Sequence, residues 1–319
     1  MTEPILDATN LLPGALIYTW SIEKKIALGD FSHVYLTNQI GQNGLVTKFA
    51  IKCEPADSPI QMLKVEAYIL NKIHKKGSRH FCDVEDIGKY AGVNYIVMNL
   101  VGRPLVDYMK ASKTGVISVN CALSVGIQIY EALEDLHSAG YIHRDVKPSN
   151  ICLGRKDRNE LSKIYLLSFS ISKKYLDGKG ELRKPRDKAD FRGTTRYASQ
   201  SCHQLMDLGR KDDLESLFYV ICEMITGVLP WKGLPDGAAV ARTKQQARYA
   251  PVINQLLRGA CPFEELKELM FLIDGYTFYS TPNYSKIYDI LRRGIRRTPM
   301  IQEHPYDWES NGPNFLPDV

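Results

Sequence analysis

The sequence predicts an α+β chain in two lobes, a small β-rich one followed by a larger helical one. Three observations carry this. The first hundred residues hold short strand-like runs, the remainder holds apolar residues at three-to-four spacing, and Gly102 and Pro104 break the pattern near Val101–Arg103. The 319 residues are enough for two units. Hydrophobic residues at 44% and charged residues at 24% exclude a disordered or collagen-like chain.

In chain order, residues 1–16 read as an extension, 17–101 as the first lobe, 102–298 as the second and 299–319 as a tail packed on it. Ser21–Ile26 and His33–Thr37 are strand-like runs around a Gly-containing break. Lys48 to Cys53 alternates, with Phe49, Ile51 and Cys53 on one face and Ala50 and Lys52 on the other. A helix is expected from about Pro59 to Lys76, with Leu63, Ala67, Leu70 and Ile73 on its stripe and Gly77 as its stop. Tyr95 to Leu100 is another strand. Asn120 to Ser138 carries Val125, Ile129, Leu133 and Leu136 on one stripe and ends at Gly140. Leu214–Ile225, Ala260–Tyr276 and Ser285–Arg293 read as further helices. Pro299, Pro305, Pro313 and Pro317 make the last segment extended.

Several function classes drop out. The apolar run Leu217–Trp231 is interrupted by Glu223 and too short for a membrane span. The start Met1-Thr2-Glu3-Pro4 lacks a basic n-region before an apolar stretch, so no signal peptide is expected. Seven cysteines, scattered without a C-x-x-C pair, read as reduced thiols of a cytoplasmic or nuclear protein. A net charge of +5 is too mild to mark a nucleic-acid binder, and no aromatic platform accompanies the basic residues.

The segment His143-Arg144-Asp145-Val146-Lys147-Pro148-Ser149-Asn150 fits H-R-D-x-x-x-x-N. Taken alone it could be a turn whose Asp, Pro and Asn serve local hydrogen bonds. With it stand Phe191-Arg192-Gly193-Thr194-Thr195-Arg196-Tyr197-Ala198-Ser199, Asp212-Asp213-Leu214-Glu215-Ser216-Leu217-Phe218-Tyr219, Leu229-Pro230-Trp231 and Pro305-Tyr306-Asp307-Trp308-Glu309. On these segments the chain resembles protein kinases, within them the casein kinase I group, and most of all its tau-tubulin kinase branch. The resemblance covers roughly Ile17 to Glu309 and implies a bilobal protein kinase-like fold.

The resemblance implies roles for the matching residues. Asp145 would accept the substrate hydroxyl proton, Lys147 would point toward the transferred phosphate, and Asn150 would offer a neutral oxygen to Mg²⁺. Lys52 and Glu66 match the phosphate lysine and its ion-pair partner, and Ala50 would cover the adenine of ATP. Each of the pair is also common as an exposed strand lysine or helix glutamate. Met98-Asn99-Leu100 matches the backbone hinge for adenine. His143, Arg144 and Asp213 match structural positions, with Asp213 open to a second reading as a helix N-cap. Thr194 matches the threonine bonded to the catalytic aspartate and lysine, or is a turn residue beside Gly193.

Two departures touch the ATP side. The D-F-G segment reads Ser168-Phe169-Ser170, so a hydroxyl replaces the metal carboxylate, and the next acid, Asp177, lies nine positions on. The Gly-rich loop falls on Ala27–Val34 and keeps only Gly29, with Asp30 and Phe31 at its tip. The expectation is therefore Mg·ATP bound weakly or not at all and impaired phosphotransfer. A working Ser/Thr kinase that tolerates Ser168 is the alternative.

Between Lys173 and Arg196 stand nine Lys/Arg against four Asp/Glu, a local excess of +5 equal to that of the whole chain. This segment reads either as a site for acidic or phosphorylated protein partners, with Arg192, Arg196 and Arg242 nearest the anion, or as a solvated loop. No membrane or nucleic-acid partner is expected, and the chain is expected to be a monomer.

Overall fold

The computed structural model describes residues 6–29, 32–41, 44, 46–259, 261–298, 306–309 and 316. The chain divides into two compact units. One comprises residues up to Gly102 together with Leu167–Ser170; the other comprises Arg103–Leu166 and residues from Ile171 onward.

The first unit is a six-stranded antiparallel sheet and one helix. Its strands are β1 (Leu16–Ile17), β2 (Trp20–Leu28), β3 (His33–Ile40), β4 (Val46–Pro55), β5 (Val84–Tyr90) and β6 (Val93–Asn99), in the order β1-β2-β3-β4-β6-β5. The alternation read in β4 sorts its side chains to two faces, both buried. Phe49, Ile51 and Cys53 join Trp20, Ile22 and Tyr35 in one cluster, while Ala50 packs with Leu36 and Leu100 in another. Helix α1 (Met62–His74) buries Leu63, Ala67, Leu70 and Ile73. It starts three residues later than its sequence suggests, because the Leu63 N–H donates to Glu54 Oε2 at 3.1 Å and fixes the first turn there.

The second unit is mostly helical. Its elements are α2 (Leu105–Ala111), α3 (Val119–Ser138), β7 (Tyr141–Ile142), β8 (Ile151–Leu153), β9 (Ile164–Leu166), β10 (Lys173–Lys174), α4 (Gln200–His203), α5 (Arg210–Thr226), α6 (Gly237–Gln246), α7 (Val252–Leu256), α8 (Phe263–Asp274) and α9 (Tyr284–Arg296). Helix α3 is capped by Ser118, whose hydroxyl accepts from Cys121 N–H. Gly126 lets α3 and α5 touch, since a Cβ there would lie 2.6 Å from Ile221 Cδ1.

Helix α5 begins at Arg210, four residues before its apolar run. Its first turn is charged but buried: Gly209 is the N-cap, and Asp212 accepts the Gly209 N–H at 2.7 Å. Asp213 is therefore not an N-cap, which corrects that reading of its sequence. No helix among the described residues is long and apolar enough to cross a membrane.

Pro299, Pro305, Pro313 and Pro317 lie outside the described residues, but residues 306–309 are placed. Trp308 is fully buried, donates Nε1–H to Leu161 O at 2.9 Å and packs its ring 5.2 Å from Tyr108. Asp307 accepts from both Ser118 N–H and Ser118 Oγ–H, at 2.7 and 2.5 Å. Truncating a buried tryptophan leaves a cavity and costs about 3–5 kcal/mol. Trp308→Ala is expected to lower the unfolding free energy of the second unit by that amount in a urea titration, and an unchanged midpoint would show that the 306–309 strap is not part of its core.

Candidate active site

The first unit carries the residues assigned to ATP. Ala50 and Lys52 sit two apart on β4 and so share a face. Lys52 Nζ meets Glu66 Oε2 of α1 at 2.6 Å, with both side chains under a tenth exposed. Two charges leave water only when each compensates the other. Glu54, which the sequence reading passed over, sets this pair up. One of its carboxylate oxygens holds the start of α1 and the other accepts from Asn94 Nδ2 at 3.3 Å, which fixes the helix that carries Glu66.

Met98 is buried and pairs across the sheet with Ala50, and Leu100 packs on Ala50 and Leu36. Asn99 is committed elsewhere. Its N–H donates to Asp83 O at 3.2 Å, and its Oδ1 accepts from Asp83 N–H at 2.7 Å, so that N–H is not open to adenine. Asp30 and Phe31 lie outside the described residues. On either side of them β2 and β3 close at the pair Leu28–His33, and Gly29 N–H donates to Ser32 O at 2.9 Å.

Ser168 also belongs to the first unit. It is half-buried with φ +70°. That left-handed conformation disfavours most side chains and is visited most readily by Gly, Asn and Asp. The backbone thus keeps a shape suited to aspartate while the side chain is a hydroxyl. Phe169 beside it is buried, its ring 5.7 Å from Phe81.

The second unit carries the four residues expected to act at the phosphoacceptor, and it brings them together. Asp145 Oδ1 accepts from Thr194 Oγ1 at 2.7 Å, and its Oδ2 meets Lys147 Nζ at 2.7 Å. Lys147 also donates to Thr194 Oγ1 at 3.2 Å, and Asn150 Nδ2 donates to the Asp145 carbonyl at 2.8 Å. With its nitrogen so spent, Asn150 has an oxygen left to offer a cation. Thr194 reaches Asp145 because residue 193 is glycine. Its φ is +118°, and a Cβ there would stand 2.6 Å from Arg144 O.

Asp213 organises this segment from below. Its Oδ2 accepts from His143 N–H at 2.7 Å and faces His137 Nε2 at 2.8 Å, and its Oδ1 accepts from Arg144 N–H at 2.8 Å. Burial pushes its carboxyl up, but the bond and charge from His137 and the Arg144 amide outweigh it and hold the pKa below the ordinary range. His143 is fully buried, and its Nδ1 accepts from Asp145 N–H at 3.2 Å.

The three arginines assigned to an anion each have their own surroundings. Arg192 pairs at the surface with Asp190 at 3.7 Å, and Arg242 lies exposed on α6. Arg196 turns to Glu223, 3.2 Å away, whose other oxygen accepts from Tyr197 Oη. Asp207 in turn takes Lys173 at 2.6 Å and Arg186 at 3.0 Å. Neither Asp207 nor Glu223 lies within the 173–196 segment. Counting both, nine cations face six acids, and the excess falls from +5 to +3.

Burial pushes the Asp207 carboxyl up, but the bonds from Arg186 and Lys173 overcome this and hold it at about 2. A carboxyl held low stabilises the fold above its unfolded pKa of about 3.9 and loses that contribution as pH falls toward 2. Asp207→Asn is expected to flatten the loss of thermal stability between pH 4 and pH 2 and to speed tryptic cleavage within 173–190. An acid limb identical to that of the unmodified chain would contradict this.

The protein kinase domain family model matches residues 20–271. A Dictyostelium discoideum protein named as a probable serine/threonine-protein kinase is 31% identical over 290 residues, 91% of this chain and 56% of its own length. The chain thus spans little more than half of that relative. The Caenorhabditis elegans serine/threonine-protein kinase spe-6 is 31% identical over 299 residues, covering 92% of this chain and 76% of its own. A second C. elegans protein, provisionally named as a casein kinase I, is 27% identical over 97% of this chain and 89% of its own. The β-sheet unit, the helical unit and the matched span agree with a bilobal kinase fold, and the chain belongs to the protein kinase domain family, among relatives that bear Ser/Thr kinase names.

Proposed function

We propose that the chain is a Ser/Thr kinase-like protein of the casein kinase I group, nearest the tau-tubulin kinase branch, in which phosphotransfer is impaired and docking of acidic or phosphorylated partners is the working activity. Ser168 carries this reading. The residues assigned to the metal, Asn150 and Ser168, are both neutral, and a hard dication prefers anionic oxygen. Among the described residues no cluster of three or more His, Cys, Asp or Glu side chains gathers to replace the missing carboxylate. Neither Asn150 of the second unit nor Ser168 of the first supplies the anionic oxygen that a tightly held Mg²⁺ requires. Loss of one preorganised electrostatic group costs about a hundred- to a thousand-fold in rate, and a metal ligand at least that. Exposed Arg183, Lys184, Lys188 and Arg192 leave the basic segment with charge for an acidic partner after Asp207 and Glu223 take their share. The protein would act as a monomer in the cytoplasm or nucleus.

The second reading, a working Ser/Thr kinase, is favoured by one arrangement. Asp145, with three donors converging on its carboxylate, remains poised to take the proton from an attacking hydroxyl.

Thermal shift with ATP, with and without Mg²⁺ or Mn²⁺, separates the two. Impaired metal binding predicts no additional shift from the metal, and Ser168→Asp is expected to create a metal-dependent shift of several degrees. Phosphorylation of casein at ordinary rates, abolished by Asp145→Asn, would establish the working kinase and overturn the impaired one.

A further inference from the structure

Lys244, near the end of α6, is fully buried, which lysine almost never is unless paired. Among the described residues no carboxylate bonds it. Its Nζ donates to Thr195 O at 2.9 Å and Ala198 O at 2.6 Å, and stands 3.2 Å from His203 Nε2. The ring faces of Tyr219 and Trp231 lie 4.9 and 5.2 Å away.

Those carbonyls belong to one turn. Thr194 O accepts from both Tyr197 N–H and Ala198 N–H at 2.9 Å, while Thr195 is exposed. Trp231 Nε1–H donates to Arg196 O at 2.8 Å, and Glu223 takes the Arg196 and Tyr197 side chains. Among these inner supports Lys244 spans the turn, bonding near both its ends. The same turn begins with Thr194, whose hydroxyl holds Asp145.

We infer that Lys244 is a positioning residue: its buried amine clamps the 194–198 turn and, through Thr194, fixes the Asp145 carboxylate. The clamp serves either protonation state. An ammonium donates three bonds to the two carbonyls and His203 Nε2. A neutral amine donates two and accepts one from an Nε2–H tautomer of His203. It holds whether or not the chain transfers phosphate.

The titratable groups facing Lys244 are Cys202 and His203 of α4, Glu215 and Tyr219 of α5, and Arg248 just beyond α6. Burial, opposed by Glu215 and Cys202 and aided by Arg248, pulls Lys244 down to about 7. Burial and the Lys244 charge hold His203 at about 4, while burial lifts Cys202 and Tyr219 above their ordinary values. Opening the turn returns the amine to water, where its pKa is about 10.4, so opening takes up a proton across the interval between. Opening therefore becomes harder as pH rises above 7, by up to about tenfold per pH unit.

The test is hydrogen exchange of the Tyr197 and Ala198 amides in the full chain between pH 6 and 9, corrected for intrinsic rates, without nucleotide or peptide. A failure here is therefore separate from a failure of the docking reading. Protection is expected to rise with pH above 7 in the unmodified chain. In Lys244→Met it is expected to be flat and, at pH 8, at least about tenfold lower, because two buried carbonyls lose their donor. A flat profile in the unmodified chain, unchanged turn protection in Lys244→Met, or equal loosening of α3 would each overturn the inference. The profile of the unmodified chain decides the matter even where the variant does not fold, and Lys244→Gln supplies a second one.

Discussion

One buried carboxylate holds the segment around Asp145 together. Asp213 ties the amides of His143 and Arg144 to α5 and, through His137, to α3. The segment it holds is irregular backbone, with Arg144 at φ +70°. Such a conformation survives only where its surroundings over-determine it. With the amides satisfied and the ion paid for by several donors, Asp145 becomes a fixed point on which Thr194, Lys147 and Asn150 converge.

The two units treat their assigned chemistry differently. In the second, every side chain that the sequence pattern places around Asp145 is present and bonded. In the first, the Lys52–Glu66 pair is intact, yet the hydroxyl of Ser168 stands on a backbone shaped as an aspartate would shape it.

Much of this was legible in the sequence, and the exceptions share a cause. Period-two alternation identified β4, and three-to-four spacing identified α1 and α3, because burial of an apolar face sets those periods. The first turn of α5 was missed because its residues are charged, although Asp212 and Asp213 are buried to serve backbone amides. The loop's net charge was overstated because its neutralising partners, Asp207 and Glu223, come from outside it and no spacing announces them. Glu54 and Lys244 went unseen for the same reason. A polar side chain that bonds distant main chain leaves no local pattern, whereas the His143–Asn150 motif is readable because its own residues stand at fixed spacing in one segment, although Asp213 and Thr194, which bond it, lie far along the chain.

The strap at 306–309 has a consequence for synthesis. The Ser118 amide at the head of α3 is satisfied by a residue 189 positions downstream. A ribosome delivers Ser118 long before it delivers Asp307, so the leading amide of α3 is without this carboxylate while the intervening residues are made. Closing so long a loop is entropically costly and slow. The last contacts to form in this unit are thus fixed by chain order, and a nascent chain halted before residue 307 would present a partly finished helical unit to the folding machinery of the cell.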